Sequence, residues 1–492
     1  MERWQPIGNQ AAASRLGEAL RRAGYTEAAV TDLLGDDAYD LSRDDAPVAE
    51  RRLPEGRLGT VVRLFFFQLA LPTEDVTRAL GRDAVDALGA TGLGEVGEDV
   101  VPQGRIIPVG DLLVASDDFP DPEGDEPADY VAAYTPTSRL VDALTPRRRV
   151  ERALDVGCGS GVQALLAARH ARQVVATDVN SRALTFTEIN AALSGFTNVE
   201  CRQGSLFEPV SGESFDLITS NAPYVISPEN RLTYRDAGFE ADELSERIVR
   251  SAAEHLNEDG FATLLVSWIA HDEDEPDERP LAWTEAIDCD GWILPVWGSD
   301  PLTHASTWNE ELEGDDDAYA AALDEWTEYL ERFGARWVTE GAILLHRRPG
   351  DGYNVRVDEI DDEVLESAGA QVERAFQARA YLARLQRSAE LLDARLSLVM
   401  PLHLERELEP RDGRVITAGG NIELGAGLGV AFETSAVALE VVPALDGRST
   451  LGDVVDATAA RLRLSEADAT RLRRESLSVA RELLELGALR LR

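Results

Sequence analysis

The chain has 492 residues, 44% of them hydrophobic, more than one hydrophobic core usually serves, so two to four domains are expected. Its formal net charge is −42, with every cation an arginine, which argues against a protein that grips bare nucleic acid across its whole surface. The opening Met1-Glu2-Arg3-Trp4-Gln5-Pro6 lacks an apolar signal core, and runs such as Val61–Leu71 and Ala262–Ala270 are too short and too interrupted to span a membrane, so a soluble, cytoplasmic protein without membrane partners is expected.

In chain order, apolar residues at helical spacing predict helices over Ala11–Tyr25, Ala28–Leu34, Leu58–Leu71 and Thr73–Leu80, with Pro72 and Gly81 as stops. Val100–Gln103 and Arg105–Ala115 then alternate like two strands around Gly104. Helices followed by a β wing fit a winged-helix-like module, and a plain helical bundle fits the same start. An acid- and proline-rich stretch, Ser116–Pro127, reads as a solvated connector, so residues 1–127 form an N-terminal accessory domain plus linker.

From 128 to 348 the pattern changes to strand–helix alternation. Strands are predicted at Arg152–Val156, Gln173–Thr177, Asn198–Gln203, Phe215–Thr219, Gly260–Trp268, Gly291–Val296 and Arg336–His346, with helices such as Val162–Arg169, Ser181–Leu193 and Ser245–His255 between them and Asp317–Phe333 in an insertion. Such alternation predicts an α/β domain with a mostly parallel sheet and helices on both faces. Residues 349–492 open with helical periodicity over Val364–Leu392. They continue with short β segments near Val415–Thr417, Asn421–Leu424 and Gly429–Glu433, then helices at Thr450–Leu462 and Glu466–Leu486, and read as an α+β, winged-helix-like C-terminal domain.

Three features carry chemistry. A strand ends in Asp155-Val156-Gly157-Cys158-Gly159-Ser160-Gly161 and feeds a helix, where glycines allow a sharp turn and close backbone approach to a ligand. Val162 stands where a dinucleotide fingerprint needs a small residue. The next strand ends at Asp178, a position from which a carboxylate can accept hydrogen bonds from ribose hydroxyls. After the fourth apolar strand comes Asn221-Ala222-Pro223-Tyr224. There a side-chain oxygen and a backbone carbonyl can hold the two N–H groups of a planar amino nitrogen, while the Tyr224 ring covers its face.

The glycine turn resembles motif I of class I S-adenosylmethionine (SAM)-dependent methyltransferases, and residues 221–224 resemble the N-P-P-Y motif of enzymes that methylate planar amino nitrogens. Arg231–Asp236, Leu244–Val249 and Leu256–Gly260 lie where the HemK/PrmC-type glutamine methyltransferases have a substrate loop, a helix and a turn into the fifth strand. The resemblance spans about 220 residues and implies a Rossmann-like, seven-stranded domain using SAM. It implies cofactor contacts from Asp155, Gly157, Gly159, Gly161, Asp178 and Thr135, the last in a segment that closes over SAM, and catalysis by Asn221, Ala222, Pro223 and Tyr224. Ser205, at the end of the third strand, is either an adenine contact or part of an ordinary turn. Ala222 departs from the motif by replacing its first proline, which keeps the backbone carbonyl and loses the fixed φ.

The substrate expected from the resemblance is a protein glutamine side chain, with a nucleic-acid base as the alternative and a SAM-binding regulator without catalysis as a reading of another class. Cys158, Cys201 and Cys289 fit neither a zinc nor a disulfide spacing, the six histidines are scattered, and the acidic runs Asp272–Glu275 and Asp315–Asp317 lack calcium-ligand order, so no metal is expected. Arg147–Arg149 read as a solvated face. Trp292, Trp297 and Trp308 are either core or substrate-facing.

Overall fold

The computed structural model describes residues 4–41, 45–118, 127–228, 239–312, 314–360, 368–411 and 414–492. Most of the acidic stretch (119–126) and the expected substrate loop Arg231–Asp236 lie outside the described residues. The chain forms two compact units, one comprising 1–141, 148–288 and 297–347, the other 142–147, 289–296 and 348–492.

The first unit is built on a twisted sheet. Its strands are β1 (Val150–Val156), β2 (Ala171–Asp178), β3 (Val199–Gln203), β4 (Phe215–Ser220), β5 (Leu256–Ala270) and β6 (Trp337–His346). They lie side by side in the order β6-β5-β4-β1-β2-β3. All neighbours are parallel except β5 and β6, whose antiparallel ladder runs from Phe261 opposite His346 to Ala270 opposite Trp337. The chain order reverses between β1 and β4. In open α/β sheets that reversal opens a crevice at the carboxyl ends of the strands. The expected turn at Leu256–Gly260 is the start of β5, with an irregular register between Leu256 and Phe261 and Asp259 at φ 66°. The sixth strand of the expectation, observed as Asp290–Ser299, is divided between the two units at Val296/Trp297.

Helices α1 (Gln10–Arg22), α2 (Val162–Ala168), α3 (Ser181–Ser194) and α4 (Glu243–His255) have local causes in sequence. Asn9 and Asn180 cap α1 and α3 by accepting backbone N–H groups, and Gly195 ends α3 in the left-handed region. A single continuous core joins Leu16 and Leu20 of α1 and Phe65–Phe67 with Leu165 of α2 and Phe186 and Ile189 of α3. Residues 1–127 and the strand–helix segment therefore share one compact unit. Gly17 makes this contact close, since a Cβ there would lie 2.1 Å from the Leu193 carbonyl oxygen. Arg21 and Ser14 of α1 donate to carbonyls at the end of α3, Leu193 at 2.6 Å and Ala192 at 3.3 Å.

The expected strand Arg105–Ala115 is instead a hairpin, Arg105–Val109 with Leu112–Ser116, because Gly110 turns the chain at φ 60°. Val100 pairs with Leu71 and Val96 in a separate three-stranded sheet. Ser116 and Asp117, read from sequence as solvated, are buried, at 1% and 4% exposure. The cause is Arg182 in the first turn of α3, also buried, whose Nε lies 3.3 Å from Asp117 Oδ2. Arg182 also donates to the Trp4 carbonyl at 2.6 Å and lies over the Trp4 ring. Asp117 Oδ2 in turn accepts the Val131 N–H at 2.8 Å. Within the triplet read as a solvated face, Arg148 pairs with Asp259 at 2.9 Å and lies over Phe261.

In the second unit, Gly291–Ile293 pairs in parallel with Val355–Val357. Arg395–Leu398 is the centre of a three-stranded antiparallel sheet between Asp446–Thr450 and Leu489–Leu491. Leu402–Arg411, Arg414–Leu424 and Ala431–Ser435 form a second antiparallel sheet. Among the described residues helices Gly369–Leu382, Leu451–Leu462 and Glu466–Glu485 accompany them, the first ending ten residues short of the expected Leu392. Trp292 is buried here under the Arg379 guanidinium, 4.1 Å from the ring centre, so it is core. Among the described residues no helix is long and apolar enough to cross a membrane.

Removing one partner of a buried, hydrogen-bonded ion pair leaves a charge that water cannot reach. Arg182→Ala is expected to lower the stability of the first unit by about 3–5 kcal/mol. Arg78→Ala, which removes an exposed pair with Glu74 and Asp75, should change stability by less than about 0.5 kcal/mol. Urea unfolding of both variants measures the contrast, and equal midpoints would refute it.

Candidate active site

The carboxyl ends of β1, β2 and β4 open into one cavity of about 980 Å³ within the first unit. Asp155, Gly157, Gly159, Asp178, Ser205, Thr135, Asn221, Ala222, Pro223 and Tyr224 all line it. Gly161 lies one turn behind, at the start of α2, where a Cβ would meet Thr187 at 2.7 Å.

The glycine turn is held by its neighbours. Gly157, Gly159 and Gly161 all have positive φ, at 68°, 53° and 83°, a region that favours glycine. A Cβ at Gly157 would press on Ala222, 3.0 Å from its own Cβ, so the β1 and β4 loops touch. Ala222, the departure from the motif, is buried in that contact. At Gly159 nothing lies within 4 Å of where a Cβ would be, so that space belongs to the cavity. Asp155 is buried and ties the loop from below, accepting the Ala164 N–H at 3.0 Å and the Thr219 hydroxyl at 3.1 Å.

Asp178 Oδ2 accepts the Gly159 N–H at 2.9 Å and its Oδ1 the Asn180 N–H at 2.8 Å. Burial pushes this carboxyl above its ordinary range, against the pull of those backbone N–H groups. A carboxylate offers about four acceptor sites, so both oxygens retain capacity for a ligand's hydroxyls.

Asn221 is oriented by the segment before the sheet. Its Nδ2 donates to the Ser138 hydroxyl at 3.2 Å and the Thr137 hydroxyl at 3.4 Å. Thr135, which lines the cavity, meets the Thr137 hydroxyl at 2.9 Å and accepts the Ser138 N–H at 3.2 Å, fixing that turn. The Asn221 Oδ1 is buried and has no hydrogen-bond partner among the described residues. A buried acceptor without a partner costs about 1–3 kcal/mol, a cost that a bound donor would remove.

Tyr224 is fixed on several sides. Its hydroxyl bonds Thr137, its carbonyl accepts the Ser267 hydroxyl, and its ring meets Trp308 edge-on with centroids 6.3 Å apart. Burial, with the Glu340 charge adding to it, pushes the phenol far above its ordinary value, so it stays neutral.

Of the wall beside this motif, sequence reasoning offered Trp297 and Trp308 as core or substrate-facing and missed His304 and Glu340. Helix α5 (Pro301–Thr307) brings His304 and Trp308, and β6 brings Glu340. Trp297 and Trp308 line the cavity, which separates them from the core residue Trp292. For Glu340 the signal in sequence was a lone carboxylate inside the apolar run Val338–Leu345. Among the described lining residues the carboxylates are Asp155, Asp178 and Glu340, and none is a lysine or arginine. Among the described residues no group of three or more His, Cys, Asp or Glu side chains is arranged to hold a metal.

Residues 22–104 match the model of a domain of unknown function, DUF7059, and residues 135–269 match the methyltransferase small domain. The ribosomal protein uL3 glutamine methyltransferase of Bradyrhizobium diazoefficiens is 33% identical over 168 residues, 31% of this chain and 52% of the relative. The release factor glutamine methyltransferase of Xylella fastidiosa is 38% identical over 129 residues, 24% of this chain and 47% of the relative. The chain thus spans about half the length of the curated relatives it matches. A solved methyltransferase from Pyrococcus furiosus aligns over 44% of this chain and 83% of its own at 18% identity, with a TM-score of 0.28, and the fold assignment rests on the strand order instead. The glycine turn, Asp178 and Asn221–Tyr224 all lie inside residues 135–269, the segment that matches the methyltransferase small domain and is similar to the glutamine methyltransferases named above.

Proposed function

We propose that the chain is a SAM-dependent N-methyltransferase whose acceptor is the side-chain amide of a glutamine in a protein. The observation that carries this reading is the Asn221 Oδ1, a buried carbonyl oxygen without a partner among the described residues, on an amide already oriented by Ser138 and Thr137. It is suited to accept one N–H of a planar amino group, with a backbone carbonyl of the same loop accepting the other. Two N–H groups held in this way set the direction of the nitrogen lone pair, and orientation is the main thing a weak nucleophile lacks. The Tyr224 ring offers the flat surface against which such a group lies.

The residues present fit SAM. The open space at Gly159 admits a ligand against the backbone, and Asp178 retains acceptor sites suited to ribose hydroxyls. Ser205 and the Thr135 turn complete the wall of that end. When bound, SAM supplies a methyl group made electrophilic by its sulfonium. The three carboxylates suit a cationic cofactor, and the absence of lysine and arginine among the described lining residues favours a protein acceptor over a phosphate-bearing one. The names of the relatives, which act on uL3 or on release factors, support the same class.

Incubation with tritiated SAM and an extract of cells lacking this gene should give label released by protease and retained after nuclease. Nuclease release would point to a nucleic-acid base, and no label at all to a regulator.

Gly159→Val fills space where no protein atom lies, at a strained φ, so it should cost about 1–2 kcal/mol of stability. The affinity for SAM should fall more than about tenfold, which is about 1.4 kcal/mol. Unchanged affinity of the folded variant in calorimetry would remove the cofactor assignment.

Asn221→Ala should leave SAM affinity nearly intact while turnover falls about 10²-fold or more, roughly 3 kcal/mol of lost transition-state contact. Parallel loss of both quantities would move Asn221 from the acceptor to the cofactor.

A further inference from the structure

Strand β6 carries a carboxylate where its neighbours Val338, Ala342 and Ile343 are buried and apolar. Glu340 lies opposite Ser267 in the β5–β6 ladder, and the Ser267 hydroxyl donates to the Tyr224 carbonyl. This register brings the carboxylate beside the loop that holds Asn221. Its side chain is only 12% exposed and lines the cavity.

Among the described residues the hydrogen bond to this carboxylate comes from Trp308 Nε1, at 2.8 Å from Oε1. The Trp308 ring in turn meets the edge of Tyr224. His304 Nδ1 is 3.8 Å from Oε1, while its Nε2 is 3.1 Å from the Ile226 carbonyl. Among the described residues no arginine pairs with this carboxylate and the nearby His304 is neutral, so it is free to act as a base.

We propose that Glu340 is the proton acceptor of the acceptor subsite, taking the proton that a primary amide nitrogen sheds when it gains a methyl group. The proposal rests on the glutamine-methyltransferase reading above. The amide nitrogen bonds to the methyl carbon, the carbon–sulfur bond breaks with its electron pair left on sulfur, and an N–H proton passes to Glu340 and then to water. Charge balances, because the positive charge that arrives on the sulfonium leaves as that proton.

Burial pushes the Glu340 carboxyl up to about 7, with the Trp308 N–H pulling the other way. A base works best with its pKa near the working pH. The groups that face it do not compete in that range. Burial holds the His304 imidazole down at about 4, so it is neutral, and the Tyr224 phenol is pushed up, so it is neutral as well. Glu340 accepts a proton only when ionised, so methyl transfer should rise with pH through about 7.

Two readouts test this. In the protein labelled with ¹⁵N in its indoles, without cofactor, the Trp308 N–H resonance is assigned by its loss in Trp308→Phe. It should shift with a midpoint at about 7 and cease to titrate in Glu340→Gln. At saturating tritiated SAM, with extract of cells lacking this gene as acceptor, Glu340→Gln should transfer methyl at least about 100-fold more slowly, with the inflection gone. Trp308→Phe, which removes the donated hydrogen bond, should move the inflection to higher pH. A merely structural Glu340 would give the same indole titration but would leave the rate inflection in place in Glu340→Gln and unmoved in Trp308→Phe.

A wild-type indole resonance static between about pH 6 and 8 would overturn the proposal without need of any variant. So would a Glu340→Gln enzyme with wild-type rate and inflection, and that result would leave the methyltransferase reading standing. Absence of methyl transfer by the wild-type protein would take down that reading and the proposal with it.

Discussion

The first unit depends on a charge pair kept from water. Arg182 and Asp117 are 2% and 5% exposed at their side chains, and a charge pair so enclosed is tolerable only if its remaining hydrogen-bonding groups are met. They are met by the protein itself. Arg182 reaches the Trp4 carbonyl and the Gln5 side chain, and Asp117 holds the Val131 N–H. Because Arg182 stands four residues after Asp178, and Tyr130 and Val131 line the cavity, one pair fixes Trp4 and Gln5, the strip at the Asp178 end of the cavity and the first turn of α3. Helix α1, seated on α3 through Gly17, becomes part of the scaffold of the site.

On that scaffold the cavity presents polar groups with deliberately incomplete partnerships. Asp155 is spent within the fold, bonded to Ala164 and Thr219. Asp178 is half used by backbone N–H groups. Asn221 has its nitrogen satisfied and its oxygen left over. The gradient from satisfied to unsatisfied follows the path from sheet to cavity, and an unmet acceptor in a rigid setting is where ligand binding yields the most free energy.

The wall supplied by α5 and β6 gives the site its chemical asymmetry. Burial acts in opposite directions on its two ionisable groups, holding His304 neutral and bringing the Glu340 carboxyl up to about 7, where it can gain or lose a proton. With Trp297, Trp308 and Tyr224 around them, this end of the cavity suits a flat, uncharged group. The other end, with Gly159 and Asp178, suits a polar nucleoside.

Local physics made part of this legible in the sequence. A strand running into three glycines at positive φ, and a strand ending in Asn221–Tyr224, are determined by a few adjacent residues, so the strand–helix alternation, the glycine turn and Asp178 could be read directly. The hairpin at Gly110 went unread because Arg105–Ala115 alternates as one strand after Gly104, although Gly110-Asp111 interrupts it. The burial of Asp117 could not be read because its partner lies 65 residues away, and composition around it signals water. Trp292 and Trp308 look alike in sequence, yet one is core and the other faces the cavity. Glu340 acquires its character only from burial beside Trp308, Tyr224 and His304, groups that three separate segments, its own strand included, deliver to one place. The sequence by itself determined where the backbone turns and which side chains end each strand, because those follow from residues next to one another. Tertiary structure alone decided which charges are dehydrated and which acceptors stay unmet, because desolvation depends on every element that closes around a group.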